Sequence, residues 1–283
     1  MKLAVASGKG GTGKTTIAIA LAQCMDQEET FLLDCDVEEP NTHLFLPFPT
    51  IENKAVNILC PSIDSKLCNA CGLCKENCQY NALVIIKQKA IVFSELCHGC
   101  GACALICPEK AISEHPYRIG SLNISKMDLL TLVQGRIDVG TPLVIPVIKA
   151  VKKTTPVNTP WVILDCPPGT SCSMIHSIDG ADAVILVTEP TPFGFHDLKL
   201  AVATLQSFST ALFGVIINRC NIGDERVVDY CNQESIPILL QIPESRKIAE
   251  AYAQGISLLQ TLPEYKPVLK TLLLSLRQKT GQI

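Results

Sequence analysis

Residues Ser7–Thr16, with the sequence SGKGGTGKTT, decide the fold of this chain. The pattern Gly-x4-Gly-Lys-Thr, which runs from Gly8 to Thr15, is that of a phosphate-binding loop. A short apolar strand is predicted before it at Lys2–Ala6, and a helix after it at Lys14–Met25. The spacing therefore predicts a loop whose backbone N–H groups surround phosphate oxygens at the N-terminus of a helix.

Two lysines lie in this loop, and only one of them has a place inside the phosphate cradle. Lys14 is expected to bridge the β- and γ-phosphates, and the Thr15 hydroxyl is expected to bind Mg²⁺. Lys9 lies where the loop faces outward. A cation there can reach the nucleotide of a second subunit and stabilise the negative charge of the transition state.

The loop resembles the deviant phosphate loop (deviant Walker A) of the MinD/Mrp/nitrogenase-iron-protein ATPases. The resemblance implies an Mg²⁺-dependent ATPase whose homodimer sandwiches ATP, with Lys9 acting across the dimer. It implies that Asp36 lies in switch I and orients the attacking water, whereas Asp34 is structural. It also implies that Asp165 holds a magnesium-bound water and that Asn218 reads adenine.

The residues that carry this resemblance fall into two groups. Catalytic roles are implied for Lys9, Lys14, Asp36 and Asp165. Nucleotide binding is implied for Gly8, Lys9, Gly10, Gly11, Thr12, Gly13, Lys14, Thr15, Thr16, Asn218 and Arg219.

Short apolar runs alternate with helical stretches over most of the chain. The runs are nearly continuous, which is typical of strands buried on both faces of a parallel sheet. Strands are predicted at Phe31–Asp34, Trp161–Asp165, Ala183–Thr188, Phe213–Asn218 and Ile238–Gln241. Helices are predicted near Gly194–Ser207, Glu225–Gln233, Ser245–Ala253 and Pro267–Arg277. The pattern predicts a doubly wound α/β domain with a mostly parallel sheet.

The cysteines interrupt this pattern. The chain has 15 cysteines. Eight of them form the runs Cys68-x2-Cys71-x2-Cys74-x3-Cys78 and Cys97-x2-Cys100-x2-Cys103-x3-Cys107-Pro108. This spacing is that of a two-cluster bacterial ferredoxin. Zinc would favour two separate CxxC pairs, and disulfides do not suit a reducing compartment.

The spacing predicts two [4Fe–4S] clusters with crossed ligands, because the fourth cysteine of each run reaches the other cluster. One cluster takes Cys68, Cys71, Cys74 and Cys107, and the other takes Cys97, Cys100, Cys103 and Cys78. Gln79 stands where the ferredoxin pattern has proline, but this change removes no ligand. Cys172, seven residues after Asp165, is a possible extra ligand by its resemblance to a cluster-binding cysteine of the nitrogenase iron protein.

These motifs predict two domains. A discontinuous P-loop ATPase domain is expected at residues 1–60 and 116–283, and a small α+β ferredoxin-like insert at residues 61–115. The formal net charge of −3 argues against nucleic-acid and anionic-membrane partners. With neither a signal peptide nor a long apolar run, the expected compartment is the cytoplasm.

The combination favours an ATP-gated iron–sulfur protein. ATP, Mg²⁺ and two [4Fe–4S] clusters are its expected cofactors, and its expected partner is a redox protein or an apo-metalloprotein. ATP binding closes the dimer, and the output is electron transfer or metallocofactor assembly. A MinD- or ParA-like positioning ATPase with the ferredoxin as redox sensor is the alternative. An amide-forming synthetase is a third candidate, although the chain lacks a glutaminase-sized domain.

Overall fold

The computed structural model describes residues 1–209 and 211–281. Its strands are β1 (Lys2–Ala6), β2 (Thr30–Asp34), β3 (Thr50–Ile63), β4 (Leu83–Ile86), β5 (Lys89–Val92), β6 (Ile112–Met127), β7 (Leu130–Ile137), β8 (Trp161–Asp165), β9 (Ala183–Thr188), β10 (Leu212–Asn218) and β11 (Ile238–Ile242). Its helices are α1 (Lys14–Cys24), α2 (Leu73–Glu76), α3 (Ala102–Ile106), α4 (Val144–Lys153), α5 (Cys172–Ile178), α6 (Pro192–Phe208), α7 (Arg226–Gln233), α8 (Arg246–Ala253), α9 (Leu258–Thr261) and α10 (Tyr265–Lys279).

A nine-stranded sheet forms the centre of the molecule, in the order β11-β10-β9-β1-β8-β2-β7-β6-β3. The strands from β11 to β7 are parallel, and β6 and β3 continue the sheet in antiparallel pairing. The central strands β2, β8 and β9 are buried along their whole length, since helices cover both faces. The predicted mostly parallel α/β sheet is confirmed.

Each face of the sheet has its own apolar core. On one face, α1 and α10 pack against β1 and β8 in a cluster that includes Leu3, Ile17 and Trp161. The buried residues of α10 are Leu269, Leu273 and Leu276, as helical spacing requires of a core-facing helix. On the other face, α4, α5 and α6 cover the strands. Fully burying a leucine stabilises the fold by about 1.5–3 kcal/mol. The buried apolar side chains therefore hold the helices against the two faces of the sheet.

The two antiparallel strands form a long ribbon. β3 and β6 pair from Ile63 and Ile112 at one end to Thr50 and Ser125 at the other. The pairing of β6 with β7 begins only at Gly120. About eight residues of β6 therefore extend beyond the sheet, which corresponds to roughly 25 Å.

The eight-cysteine segment lies between the two strands of this ribbon. It contains the β4–β5 hairpin and the short helices α2 and α3. The predicted boundaries at residues 60 and 116 fall inside β3 and β6, where Cys60 pairs with His115. Both chain connections of the insert are thus strands of one ribbon.

Within residues 1–209 and 211–281, every helix is too short or too polar to cross a bilayer.

Candidate functional site

The phosphate-binding loop joins β1 to α1 under tight steric constraints. Gly13, which immediately precedes α1, has φ of 95°, in the left-handed region that favours glycine. A Cβ atom at Gly13 would lie 2.5 Å from Nδ2 of Asn218. A Cβ atom at Gly8 would overlap the backbone oxygen of Asp197 in α6. Both positions therefore require glycine, and β10 and α6 hold the loop from outside.

An open cavity of about 1360 Å³, its mouth included, lies against this loop. It is at the carboxyl ends of the parallel strands, where open α/β sheets bind ligands. The predicted residues that line it are Gly10, Gly11, Gly13, Lys14, Thr15, Thr16, Asp36, Asn218 and Arg219. Gly8, Lys9, Thr12 and Asp165 are placed beside it, outside the lining.

The far wall of the cavity was not predicted from the sequence. It comprises Pro243–Ser245, after β11, and Ile248 and Tyr252 of α8. The sequence did contain a signal for this wall, namely a Pro-Glu-Ser turn directly after an apolar strand. Because the carboxyl ends of parallel strands share one edge of the sheet, such a turn lies near the phosphate loop. These residues provide apolar and aromatic surface opposite the phosphate loop.

Asn218 is already engaged with the loop. Its Nδ2 donates a hydrogen bond to the carbonyl oxygen of Thr12 at 2.9 Å, and its Oδ1 accepts one from the Arg219 N–H at 3.0 Å. The side chain thus ties the end of β10 to the phosphate loop. A role in reading adenine stays a prediction.

Asp165 is a buried carboxylate at the end of β8. It is 1% exposed, and neither of its oxygens has a hydrogen bond of normal geometry among the described residues, although the Thr15 hydroxyl lies close enough to lower its pKa. Burial raises its pKa to about 7; the charge of Lys14 opposes this shift, and the charge of Asp34 adds to it. An unpartnered buried carboxylate beside the Thr15 hydroxyl is suited to hold a hydrated Mg²⁺, whose charge would offset the cost of burial.

We expect the Asp165→Asn variant, free of nucleotide, to melt at a higher temperature than the wild type at pH 8. The folded-state pKa of about 7 lies above the ordinary value of 3.8, so the stability of the wild type falls as pH rises between these values. The amide removes this penalty and raises Tm by several degrees at pH 8, with little change at pH 4. Circular dichroism measures both melts. A lower Tm for the variant at pH 8 would contradict the assignment.

Asp34 and Asp36 have different surroundings, although only one residue separates them. Asp34 is fully buried and accepts hydrogen bonds from the Thr42 hydroxyl at 2.7 Å and from Gln134 Nε2 at 3.2 Å. Asp36 lines the nucleotide cavity, and burial raises its pKa to about 6, with Lys14 opposing the shift. Asp34 thus anchors the loop that follows β2, and Asp36 presents a carboxylate able to orient or deprotonate water.

We expect Thr42→Val to destabilise the protein by about 2 kcal/mol, because it removes a buried hydrogen bond to a carboxyl group. Valine also leaves Gln134 Nε2 without the Thr42 hydroxyl that accepts its proton at 2.9 Å. Urea unfolding measures the change, with Thr42→Ser, which keeps the hydroxyl, as the matched control. Equal stability of the valine variant and the wild type would contradict this role.

Lys9 forms an ion pair within its own chain. Its Nζ lies 2.5 Å from Oε1 of Glu189, which follows β9 and is 8% exposed. The other oxygen of Glu189 accepts from Arg219 at 3.2 Å, and Arg219 also pairs with Glu244 at 3.1 Å. Lys9 is thus held at the edge of its own nucleotide cavity by a carboxylate that the sequence did not single out.

Cysteines surround two further cavities in the insert. The first has a volume of about 350 Å³, its mouth included, and its cysteine lining is Cys68, Cys71, Cys74 and Cys107. The second has about 400 Å³, and its cysteine lining is Cys78, Cys97, Cys100 and Cys103. The fourth cysteine of each run therefore lies with the first three of the other run.

The two halves of the insert share their backbone geometry. Gly72 and Gly101 both have positive φ, of 88° and 73°. The Ala82 N–H donates to Cys78 Sγ, and the Ala111 N–H donates to Cys107 Sγ, both at 3.4 Å. The same N–H···S bond thus forms after Gln79 as after Pro108.

The spacing of the thiols differs from that of a single-ion site. Among residues 1–209 and 211–281, no three His, Cys, Asp or Glu side chains are close enough to hold one metal ion. Ligands of a cubane bind different irons and stand farther apart than ligands of one ion. The four thiols around each cavity fit the ligand count of a [4Fe–4S] cluster.

The remaining cysteines lie outside these two cavities. Cys24, Cys35, Cys166 and Cys231 are buried, and burial raises the pKa of each thiol. Cys60 is also buried, and burial and the adjacent Cys97 raise its pKa to about 12. Cys172 is exposed at the start of α5, so a ligand role for it stays a prediction.

A glycine-rich loop between a strand and a helix, with carboxylates after neighbouring parallel strands, defines a P-loop nucleotide-binding protein. Residues 3–258 match the family model described as the CobQ/CobB/MinD/ParA nucleotide binding domain. The chain belongs to this family.

Individual relatives agree with this assignment. The uncharacterized protein MJ0579 of Methanocaldococcus jannaschii is 32% identical over 268 residues, which are 92% of each chain. An iron-sulfur cluster carrier protein of Rickettsia bellii is 22% identical over 265 residues, 91% of this chain and 66% of that one. The septum site-determining protein MinD of Pyrococcus horikoshii, solved with Mg-ADP, superposes with a TM-score of 0.60 at 20% identity, covering 99% of this chain and 97% of that one. The fold is therefore MinD-like.

Proposed function

We propose that this protein is an ATP-dependent iron–sulfur protein that couples nucleotide binding and hydrolysis to electron transfer or to metallocofactor assembly on a partner. One observation carries the proposal: two sets of four cysteines surround two cavities on a ribbon that projects from the carboxyl edge of the sheet, the edge at which the nucleotide cavity lies. The resemblance to iron-sulfur cluster carrier proteins of Rickettsia, although low, supports it.

In the nucleotide half, each polar residue has a role that follows from its position. Lys14 begins α1 in the loop and bridges the β- and γ-phosphates of ATP. Thr15 and the buried Asp165 hold Mg²⁺, the latter through water. Asp36, on the wall of the cavity, orients the attacking water.

Lys9 completes the site of a second subunit in the closed homodimer. Its pairing with Glu189 holds it outside the lining of its own nucleotide cavity. On closure it exchanges this carboxylate for the phosphates across the dimer axis, where it stabilises charge that develops during hydrolysis.

In the insert, the cysteines hold two [4Fe–4S] clusters in the crossed arrangement. Such clusters supply one-electron transfer when bound. The N–H groups of Ala82 and Ala111 donate to ligand sulfurs, and such hydrogen bonds help set the reduction potential. Exposed Cys71 and Cys100 leave one edge of each site accessible to a partner.

The two halves are joined directly along the chain, and 14 positions separate Asp36 from the start of the ribbon at Thr50. The loop that carries Asp36 runs through a single turn at Thr42–Leu44 and enters β3 at Thr50. A movement of this loop with the γ-phosphate is therefore passed to one strand of the ribbon that carries the cysteines.

Anaerobic purification tests the proposal directly. We expect about eight irons and eight sulfides per chain, and an ATPase that depends on Mg²⁺. We also expect the spectra or potentials of the reduced protein to differ between the ATP- and ADP-bound states. Iron-free protein after anaerobic cluster reconstitution, or spectra indifferent to nucleotide, would refute it.

A MinD- or ParA-like positioning ATPase is the second candidate, and the MinD-like fold favours it. This function needs nucleotide-dependent binding to a membrane or to DNA. Pelleting with anionic liposomes and with DNA, in ATP and in ADP, separates the two candidates. ATP-dependent pelleting with either surface would favour the positioning function.

A further inference from the structure

A second large cavity lies on the other side of the loop that carries Asp36. It has a volume of about 1070 Å³, its mouth included, and contains no residue of the phosphate loop. Twelve residues line it, among them His43, Asn53, Asn123, Gln134 and Arg136. Eight of these twelve residues are polar or charged, so the cavity is suited to a polar ligand.

The floor of this polar cavity is one face of the antiparallel part of the sheet. Along β6, Ser121, Asn123 and Ser125 alternate with the buried Leu122 and Ile124. Alternation of this kind places the polar side chains on the face opposite α4. Arg136 pairs with Ser121 in register, and Gln134 with Asn123, so β7 extends the same polar face.

A polar face on an antiparallel sheet is often no more than a solvated surface. Here the segment from Pro40 to Phe48 forms a wall over it. Ser125 is only 3% exposed and Gln134 only 8%. Ser125 and Gln134 therefore form a shielded floor, whereas Asn53 and Arg136 are exposed at the mouth of the concave site.

The charge of the polar cavity is positive. Arg136 is its one lining residue with a formal charge, and no carboxylate lines it. In the part of the chain that the structure describes, the Arg136 guanidinium has neither an ion pair nor a hydrogen bond. Asn123 Nδ2 donates to Asn53 Oδ1 at 2.9 Å and to Thr50 at 3.2 Å, which orients the Asn53 amide and leaves its N–H groups to donate to a ligand. A guanidinium with five free donors matches a carboxylate or phosphate.

The cavity shares its wall with the nucleotide site. Along the loop after β2, Glu39 and Asn41 line the nucleotide cavity, whereas Pro40 and His43 line the polar cavity. Gln134 also connects the two, because its Nε2 donates to Asp34 at 3.2 Å and lies 3.1 Å from His43 Nδ1.

We propose that the polar cavity binds a small molecule bearing a carboxylate or phosphate group, with Arg136 as its main anchor. Its occupancy is coupled to the nucleotide through the shared loop. The binding site goes beyond the proposed function, and only the coupling rests on the nucleotide switch. Carboxylates and phosphates share the chemistry that Arg136 recognises, and the probes below distinguish them.

The binding test uses the full chain saturated with Mg-ADP, so that the phosphate loop is already filled. Calorimetric titration with succinate and with inorganic phosphate, against sodium chloride at matched ionic strength, measures the affinity. We expect one probe to bind, and Arg136→Ala to weaken it at least about tenfold, because a charged hydrogen bond is lost. Arg118→Ala is the matched control, since Arg118 lies on β6 outside the lining and pairs with Asp138.

Further variants separate lost recognition from lost folding. Asn53→Ala should weaken the same probe because it removes amide donors from the lining, whereas Arg136→Lys should keep part of the affinity because it keeps the charge. Unchanged ADP affinity shows that each variant is folded. Absence of binding by both probes up to about 10 mM, or binding that Arg136→Ala leaves unchanged, overturns the site.

The coupling has its own test. By linkage, a ligand sensitive to the nucleotide state must bind with different affinity in ADP and in a non-hydrolysable ATP analogue. We expect a change of about fivefold or more, which Thr42→Val reduces. Equal affinities overturn the coupling. Neither titration needs hydrolysis or clusters, so failure here is distinct from failure of the proposed function.

Discussion

We expect Lys9→Ala to lower kcat for ATP hydrolysis about 10³-fold or more, while the affinity for ADP stays within about twofold. Lys9 lies outside the lining of its own nucleotide cavity, so its loss does not weaken binding there. In the proposed mechanism, its charge acts only in the transition state, across the dimer. Steady-state kinetics with fluorescent-nucleotide titration measures both quantities, and Lys54→Ala, which removes a surface lysine paired with Glu52, is the control.

Mixing two inactive variants decides whether Lys9 acts in trans. A dimer of one Lys9→Ala chain and one Asp36→Ala chain contains one complete composite site, which takes its carboxylate from one subunit and its lysine from the other. An equimolar mixture should recover about a quarter of wild-type activity if subunits exchange freely. If Lys9 serves its own chain, the mixture stays inactive. Full activity of Lys9→Ala alone would also contradict the assignment.

We expect double cysteine variants to distinguish crossed from sequential ligation. Cys68→Ala with Cys107→Ala removes two ligands from one cavity and should leave about four irons per chain. Cys68→Ala with Cys78→Ala removes one ligand from each cavity and should lower iron well below four. Sequential ligation predicts the reverse order of the two variants. The outcome is measured as iron and sulfide content per chain, together with electron paramagnetic resonance spectra of the reduced protein.

Two controls belong with this experiment. Cys220→Ala removes a partly exposed thiol outside both cavities and should leave iron content unchanged. ADP binding by both double variants shows that the nucleotide domain is folded. Equal iron loss in the two double variants would contradict both ligation schemes.

The parallel core was predictable because each of its strands is marked by a signal in its own short stretch of sequence. β1, β8 and β9 have the predicted bounds, since each is a short apolar run between turns, buried on both sides. The cysteine spacing likewise predicted the grouping that the structure places around the two cavities. In both cases a few consecutive residues carry the whole signal.

The ribbon and the polar contacts were not predictable in this way. β3 and β6 have mixed composition, and they pair with each other across 48 intervening residues, so neither periodicity nor a local turn marks them. Between β2 and β3 the structure has one short turn, at Thr42–Leu44, which no sequence motif marks. Glu189 is 180 residues from Lys9, and only the folded chain brings them together.

The part of the β3–β6 ribbon that extends beyond the sheet is a rigid arm with the cysteines at its tip. Its free length of about 25 Å means that a rotation of about 10° at the sheet edge swings the cysteine-bearing tip by about 4 Å. Because both connections are hydrogen-bonded strands, the tip turns as a stiff arm and does not drift on a tether. Under the proposed function, a modest shift near the nucleotide would be amplified at the cysteine-bearing tip, and a pair of spin labels, one at each end of the arm, measures the swing.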